Sequence, residues 1–127
     1  MLLPGALTLA AGCVAGYVYT ADPNVAGTWY PPCPFLTLTG LWCPGCGSAR
    51  ALHALLHLDL GTALARNPLA VVVYGYVLVA FLAWTRRRVT GAPRRLAAPW
   101  VTRTVLVGVV LFWILRNLPG MTWLSPA

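Results

Sequence analysis

The chain has 127 residues and carries nine arginines, no lysine and two acidic residues, which gives a formal net charge of +7. Hydrophobic residues make up 59% and charged residues only 9%, whereas about a quarter of an ordinary soluble domain is charged. Such a chain cannot cover a water-facing surface, which excludes a soluble globular domain and a disordered chain. The arginines stand among apolar runs and not on a polar, lysine-bearing face, which argues against a nucleic-acid partner.

The fold class that remains is an all-α membrane protein, with about three transmembrane helices and a short interfacial helix that follows a cysteine-rich loop. The first predicted span is residues 2–20, an uncharged stretch close to the roughly 20 residues that the hydrocarbon core requires. A turn-forming Asp-Pro-Asn run follows it. A cleaved signal peptide needs a positively charged start, which this chain lacks, so a retained span is the favoured interpretation.

Two further spans are predicted at residues 69–85 and 100–118. An Asn-Pro step just before the second span supplies an N-cap and a first helical residue, and the arginine run at 86–88 is expected to end it. The third span contains one arginine near each end, Arg103 and Arg116. Both are expected to extend to the lipid headgroups.

The arginines also predict the topology. Five of the nine lie between residues 86 and 95, and the positive-inside rule places loop 86–99 in the cytoplasm. The first span then starts inside, and segment 21–67, with its cysteine-rich loop and interfacial helices, lies on the outer face of an inner or plasma membrane. Residues 1–127 are thus expected to form one multi-pass domain whose partners are the lipid bilayer and another membrane protein.

A pair of glycines in the first span predicts close helix packing. Gly12 and Gly16 are spaced as a small-xxx-small motif, which lets two helix backbones approach each other. We expect the pair to pack against the second or third span of the same chain. A homodimer face is the alternative.

Three of the four cysteines, Cys33, Cys43 and Cys46, fall within fourteen residues. A disulfide from Cys33 to either of the other two would tie the outer loop in an oxidising compartment. Thiol–disulfide exchange by the Cys-Pro-Gly-Cys motif would use a thiol whose pKa is lowered at the start of a helix. A metal site is the third chemistry, in which the three cysteines hold zinc and water or one histidine completes the coordination.

A helix is predicted from about residue 45 to residue 58, and it is too short to cross the membrane comfortably. We expect it to lie in the membrane interface or to dip into the membrane and back out, because one polar stripe runs along an otherwise apolar cylinder. The stripe consists of Cys46, Arg50, His53 and His57. The histidines are expected at the water–lipid boundary or in hydrogen bonds within the helix bundle. Arg50 is expected at the headgroups, and an ion pair with Asp59 is the alternative.

Several of these motifs occur together and in order. They are Cys33-Pro34-Phe35, Thr39-Gly40, Cys43-Pro44-Gly45-Cys46-Gly47, Arg50-Ala51, His53 and Asn67-Pro68-Leu69. The combination resembles the DUF2752 family of small bacterial membrane proteins over roughly residues 33–73. The resemblance implies an N-terminal span, an amphipathic helix after the cysteine segment and one or two further spans. The family has no known function, so the resemblance implies no activity, ligand or catalytic residue.

The function predicted from the sequence is a non-enzymatic structural or interaction component, whose outer cysteine segment is tied by a disulfide or by a metal such as zinc. Asp22 and Asp59 are the only acids, so general acid–base chemistry is poorly provided for and no catalytic residue is assigned. The alternative is a membrane thiol–disulfide oxidoreductase or redox sensor with Cys33 as the resolving thiol. A metal or anion carrier is disfavoured, because the first two spans offer no continuous polar path.

Overall fold

The computed structural model describes residues 2–25, 27, 29–91, 99–121 and 124. Over these residues the chain is all-α and contains no strand, which confirms the predicted class of secondary structure. The helices are α1 (Leu2–Thr20), α2 (Pro34–Thr39), α3 (Ser48–Leu56), α4 (Leu60–Arg66), α5 (Pro68–Thr90) and α6 (Pro99–Arg116). The helix α1 coincides with the first predicted span. Most of the connection between α5 and α6 lies outside the described residues.

The predicted start of α5 is confirmed, but its predicted end is wrong. The side chain of Asn67 caps the helix by accepting a hydrogen bond of 2.9 Å from the Ala70 N–H, and Pro68 is the first helical residue. The helix then continues through the arginine run 86–88 and ends at Gly91, where φ is 68°. Arginine is a good helix former, and its positive charge is favourable at the negative end of the helix dipole.

The predicted helix over residues 45–58 begins later than expected. Gly47 adopts a left-handed φ of 81° and is the N-cap of α3. The residues before it form tight turns in which the Cys46 N–H donates to the Cys43 carbonyl. Cys46 therefore lies outside the helix, so the predicted four-residue helical stripe is wrong at this position. Arg50 and His53 lie in α3, and His57 is its C-cap.

The turn between α3 and α4 uses a leucine where a glycine is usual. The Leu58 N–H donates to the Leu55 carbonyl and the Asp59 N–H donates to the Ala54 carbonyl, which is the hydrogen-bond pattern of a Schellman motif. Leu58 has a φ of 61°, and its side chain is 93% exposed. The Asp59 carboxylate then caps α4 by accepting from the Thr62 N–H at 2.9 Å.

The small core lies around α3, which packs against α1, α4 and α5. Ala51 of α3 and Ala63 of α4 are both fully buried, and their small side chains let the short helices approach closely. The long helices instead expose large apolar side chains, including Leu9 on α1, Val79 on α5 and Leu106 on α6. Through the small core, α3 therefore joins α1 to α5.

Among the described residues, α5 is long and apolar enough to cross a membrane, with a mean hydropathy of 1.9 over its most apolar window. The part of α1 that can be assessed in the same way, Gly5–Thr20, is apolar but shorter.

The glycine pair of α1 does not pack as predicted. A Cβ atom added to Gly12 or Gly16 would meet no other atom of the described structure within 4 Å. The expected packing of this pair against the chain's own second or third span is therefore not present in the part of the chain that the structure describes.

The turn at Leu58 yields a prediction about stability. We expect Leu58→Gly to raise the free energy of unfolding by about 0.5–1 kcal/mol, because an L side chain is unfavourable at a left-handed φ. The matched control is Leu64→Gly within α4, which should lower it by about 1 kcal/mol, the usual cost of glycine inside a helix. Unfolding of the detergent-solubilised protein by denaturant measures both. A loss of stability in both variants would contradict the assignment of strain to Leu58.

Candidate metal centre

The structure brings together the three cysteines that the sequence analysis singled out. Their sulfur atoms all lie within 4.8 Å of one another. The Sγ atoms of Cys33 and Cys43 are 3.4 Å apart, and those of Cys43 and Cys46 are 3.1 Å apart. All three thiols are free, and so is Cys13, which is exposed on α1. Zinc–sulfur bonds of about 2.3 Å place tetrahedral ligands about 3.8 Å apart, so small shifts would fit these sulfurs to an ion.

Local structure explains why Cys33 and Cys43 meet. Cys33 is the N-cap of α2, and Pro34 directly after it suits the first helical position. Gly40 ends this short helix with a φ of 71°, and its N–H donates to the Leu36 carbonyl. The left-handed glycine reverses the chain direction. The segment that follows therefore carries Cys43 back towards the start of α2.

The turn that holds Cys43 and Cys46 is fixed by two buried side chains, which we call the carbonyl clamp: Asn67 and Arg116. The Asn67 Nδ2 donates to the Pro44 carbonyl at 2.9 Å and to the Cys46 carbonyl at 3.0 Å. The Arg116 Nη2 donates to the same Cys46 carbonyl at 2.8 Å, and its Nη1 to the Cys43 carbonyl at 3.3 Å. The clamp therefore supplies side-chain donors to three carbonyls of this irregular turn, those of Cys43, Pro44 and Cys46.

The position of Arg116 corrects the expectation that it extends to the lipid headgroups. Only 3% of its surface is exposed, because the guanidinium turns inward to the cysteine turn. Its bonded partners in the described structure are carbonyl oxygens and no carboxylate. The two acids are engaged elsewhere, Asp22 with Asn24 and Asp59 with Thr62. A positive charge is thus buried beside the three thiols.

A second contact anchors the end of α6 to the same segment. The Asn117 side chain pairs with the backbone of Trp42 in both directions, accepting from its N–H at 2.8 Å and donating to its carbonyl at 2.9 Å. The ring of Trp113 meets Phe35 of α2 edge to face, with the centroids 5.9 Å apart. Sequence reasoning missed Asn117 and the clamp role of Arg116. The sequence signal for both was the polar pair Arg116-Asn117, which stands at the end of an apolar span.

The environments of the thiols differ sharply. A hydrogen bond from the Leu36 N–H, together with the neighbouring thiols, lowers the pKa of Cys33 to about 7. Burial raises the pKa of Cys46 to about 12. The helix-start effect expected for the Cys-Pro-Gly-Cys motif does not govern Cys46, because α3 begins after it. Cys33 is therefore the more readily ionised of these two thiols.

The two histidines lie apart from the thiols. His53 Nδ1 is 2.7 Å from the carbonyl oxygen of Val18 near the end of α1, and His57 Nδ1 is 2.9 Å from the His53 carbonyl oxygen. The His57 ring stacks on Tyr19 with the centroids 4.3 Å apart. The predicted hydrogen bonding within the helix bundle is confirmed. A histidine as the fourth metal ligand is not found, because the metal-capable cluster of the described residues consists of the three thiols alone.

A cavity of about 630 Å³ opens onto the cysteine cluster. Tyr30 and the two prolines that follow it contribute to its wall, and Arg50 of α3 also lines it. Arg50 is half-buried, so its side chain borders the cavity instead of standing free in solvent. The predicted residue Arg50 thus belongs to the surroundings of the cysteine site, on the side that the cavity leaves open.

The fold and the site define a class: a small all-α protein with a cluster of three thiols clamped at the ends of two long helices. The family model described as "Protein of unknown function (DUF2752)" matches residues 33–82. This range contains the whole cysteine cluster and Asn67, and the match confirms the predicted resemblance to that family over this segment. Comparisons with curated proteins and with solved structures found no match.

Because of the clamp, we expect two isosteric substitutions to change the free energy of unfolding by very different amounts. Asn67→Asp keeps an oxygen to cap α5 but removes the donor to two carbonyls and places a charge in a fully buried position. We expect a loss of at least about 2 kcal/mol in the free energy of unfolding. The matched control is Asp59→Asn on the exposed cap of α4, where the amide oxygen still accepts from Thr62 and the change should stay within about 0.5 kcal/mol.

Denaturant unfolding of the two variants in the same detergent measures this difference. Equal stability of Asn67→Asp and Asp59→Asn would contradict the clamp.

Proposed function

We propose that this is a small multi-pass membrane protein whose outer segment is tied to the ends of its membrane helices by a zinc ion bound to Cys33, Cys43 and Cys46. The protein is non-enzymatic, and it uses the folded outer segment to contact another membrane protein or lipid. One observation carries the proposal: three sulfur atoms converge within 4.8 Å of one another beside the buried guanidinium of Arg116, which has no carboxylate partner in the described structure.

Charge favours an anionic cluster at this position. A buried charge is costly unless an opposite charge compensates it, and neither acid of the chain bonds to Arg116. Three thiolates around one Zn²⁺ carry a net charge of −1, which offsets the arginine. Thiolates are soft ligands that suit zinc, and zinc binding would release the protons of those thiols that are still protonated.

The apolar surface of the long helices supports a membrane location. Helix α5 has 23 residues, or about 35 Å of helix, against a hydrocarbon core of about 30 Å. Most of its large apolar side chains are exposed, among them Tyr76, Val77 and Leu78. Such surface is unfavourable in water and favourable in lipid.

Ends of three long helices lie at the cysteine segment, and this arrangement supports three membrane crossings. The segment and the adjoining α3 are bound by Val18 near the C-terminal end of α1, by Asn67 at the N-terminal end of α5 and by Arg116 at the C-terminal end of α6. Successive crossings alternate in direction, so these three ends belong on one side of the bilayer. The arginine run 86–88, at the other end of α5, belongs on the cytoplasmic side.

Thiol–disulfide exchange is the second candidate function, and one observation favours it. The pKa of Cys33 is lowered to about 7, and its sulfur lies 3.4 Å from that of Cys43. In this function Cys33 would attack or resolve a disulfide that involves Cys43. The buried position of Cys46 favours a bound ion over a freely exchanging Cys-Pro-Gly-Cys pair.

Native and denaturing intact-mass analysis distinguishes the two functions. We expect the purified protein to carry one zinc ion per chain and to show four alkylatable thiols after denaturation. Cys43→Ser with Cys46→Ser should abolish zinc binding and reduce accumulation in the membrane, while Cys13→Ser should change neither. A zinc-free protein whose mass is lower by the hydrogens of one disulfide would overturn the zinc site and favour the redox function.

The topology is tested by labelling of added cysteines in intact cells. Trp29→Cys, at a site that is 86% exposed, should react with a membrane-impermeant maleimide from outside. Arg88→Cys at the end of α5 should react only after permeabilisation. The parent protein, with its four native cysteines, gives the background. The reverse pattern would contradict the proposed orientation.

A further inference from the structure

We infer that the fourth coordination position of this metal centre is filled from outside the chain, by a small anionic ligand that enters the cavity above the thiols and pairs with Arg50. The inference rests on the metal site of the proposed function and deepens it. Zinc sites that are purely structural have four protein ligands, whereas sites with three protein ligands keep one position open to water or another ligand.

The chain has no further side chain of the usual ligand types to close the site. It contains no glutamate, and every other cysteine, histidine and aspartate lies among the described residues. Both histidines use Nδ1 on backbone carbonyls, and the Nε2 of His53 faces Asp22 at 3.9 Å. The Asp59 carboxylate caps α4. The metal-capable cluster is therefore limited to three thiols, and a fourth ligand must come from elsewhere.

The cavity has room for such a ligand. Its volume of about 630 Å³ far exceeds the share of one water molecule, about 30 Å³, and falls within the range of small-molecule sites. All three cysteines line it, and Gly45 and Gly47 border it with no side chain to fill the space. The open side of the sulfur cluster therefore faces this cavity.

The charges around the site favour an anionic fourth ligand over a cationic one. Zinc with three thiolates has a net charge of −1, and an anionic fourth ligand raises this to −2. Two arginines lie at the cysteine segment: Arg116 bonds to a carbonyl of the cysteine turn, and Arg50 lines the cavity. An anionic ligand in the cavity would lie near the positive charge of Arg50. A cationic ligand would meet Arg50 with the same sign of charge.

Cobalt substitution makes the open position visible, because the d–d absorption of Co²⁺ reports its ligands. The full-length protein in detergent is loaded with Co²⁺ and titrated with azide at constant ionic strength. We expect a saturable change in the d–d bands. Arg50→Gln should weaken the apparent affinity for azide by about two- to fivefold, while Arg86→Gln, the same change of charge on the last turns of α5, should leave it unaltered.

Each alternative result has a distinct meaning. A cobalt spectrum that azide does not change would overturn the inference while the proposed metal centre stands. Equal azide affinities of Arg50→Gln and Arg86→Gln would overturn the assignment of Arg50. Absence of a thiolate-bound cobalt spectrum in the parent protein would overturn the inference and the proposed function together.

Discussion

The structure depends on the hydrogen bonds that two buried side chains make to the backbone of the cysteine turn. Irregular backbone leaves carbonyl groups unpaired, and burying them without donors is costly. The amide of Asn67 supplies two donors, and the planar guanidinium of Arg116 supplies a fork that reaches several oxygens at once. Because both bind the Cys46 carbonyl, the start of α5 and the end of α6 are joined through the turn. The same bonds fix the direction in which Cys43 and Cys46 present their sulfur atoms.

The chemistry of the site follows from this arrangement. A negative charge nearby favours a buried arginine that has no carboxylate partner in the described structure, and the thiols of Cys43 and Cys46 can provide it. The proposed metal ion would ionise the thiols and hold them together, and the resulting thiolates would offset the charge of the arginine. The cavity that all three cysteines line, with Arg50 in its wall, would give the proposed metal centre an open position. Arg116 in the clamp and Arg50 in the cavity wall thus both lie at the cysteine segment.

Periodicity and motif order predicted the helices of this protein better than the contacts between distant residues. The uncharged run predicted α1, and the Asn-Pro step predicted the start of α5, because both signals are local. The start of α3 was missed because Gly47 takes a left-handed conformation that spacing does not reveal. The cysteine trio was predicted as a group from its short spacing. The clamp was not, because Arg116 lies 70 residues from Cys46, and an arginine near the end of an apolar helix favours the headgroups when only the sequence is considered.

The central claim is that the clamp holds the three thiols in position to bind a metal ion. Its most direct test is the zinc affinity of Arg116→Gln, measured by competition with a chromogenic chelator against the parent protein and against Arg103→Gln near the other end of α6. Loss of a group that orients metal ligands typically weakens binding 10- to 100-fold. We predict a loss of at least about tenfold for Arg116→Gln and none for Arg103→Gln. Equal zinc affinities of all three proteins would contradict the account.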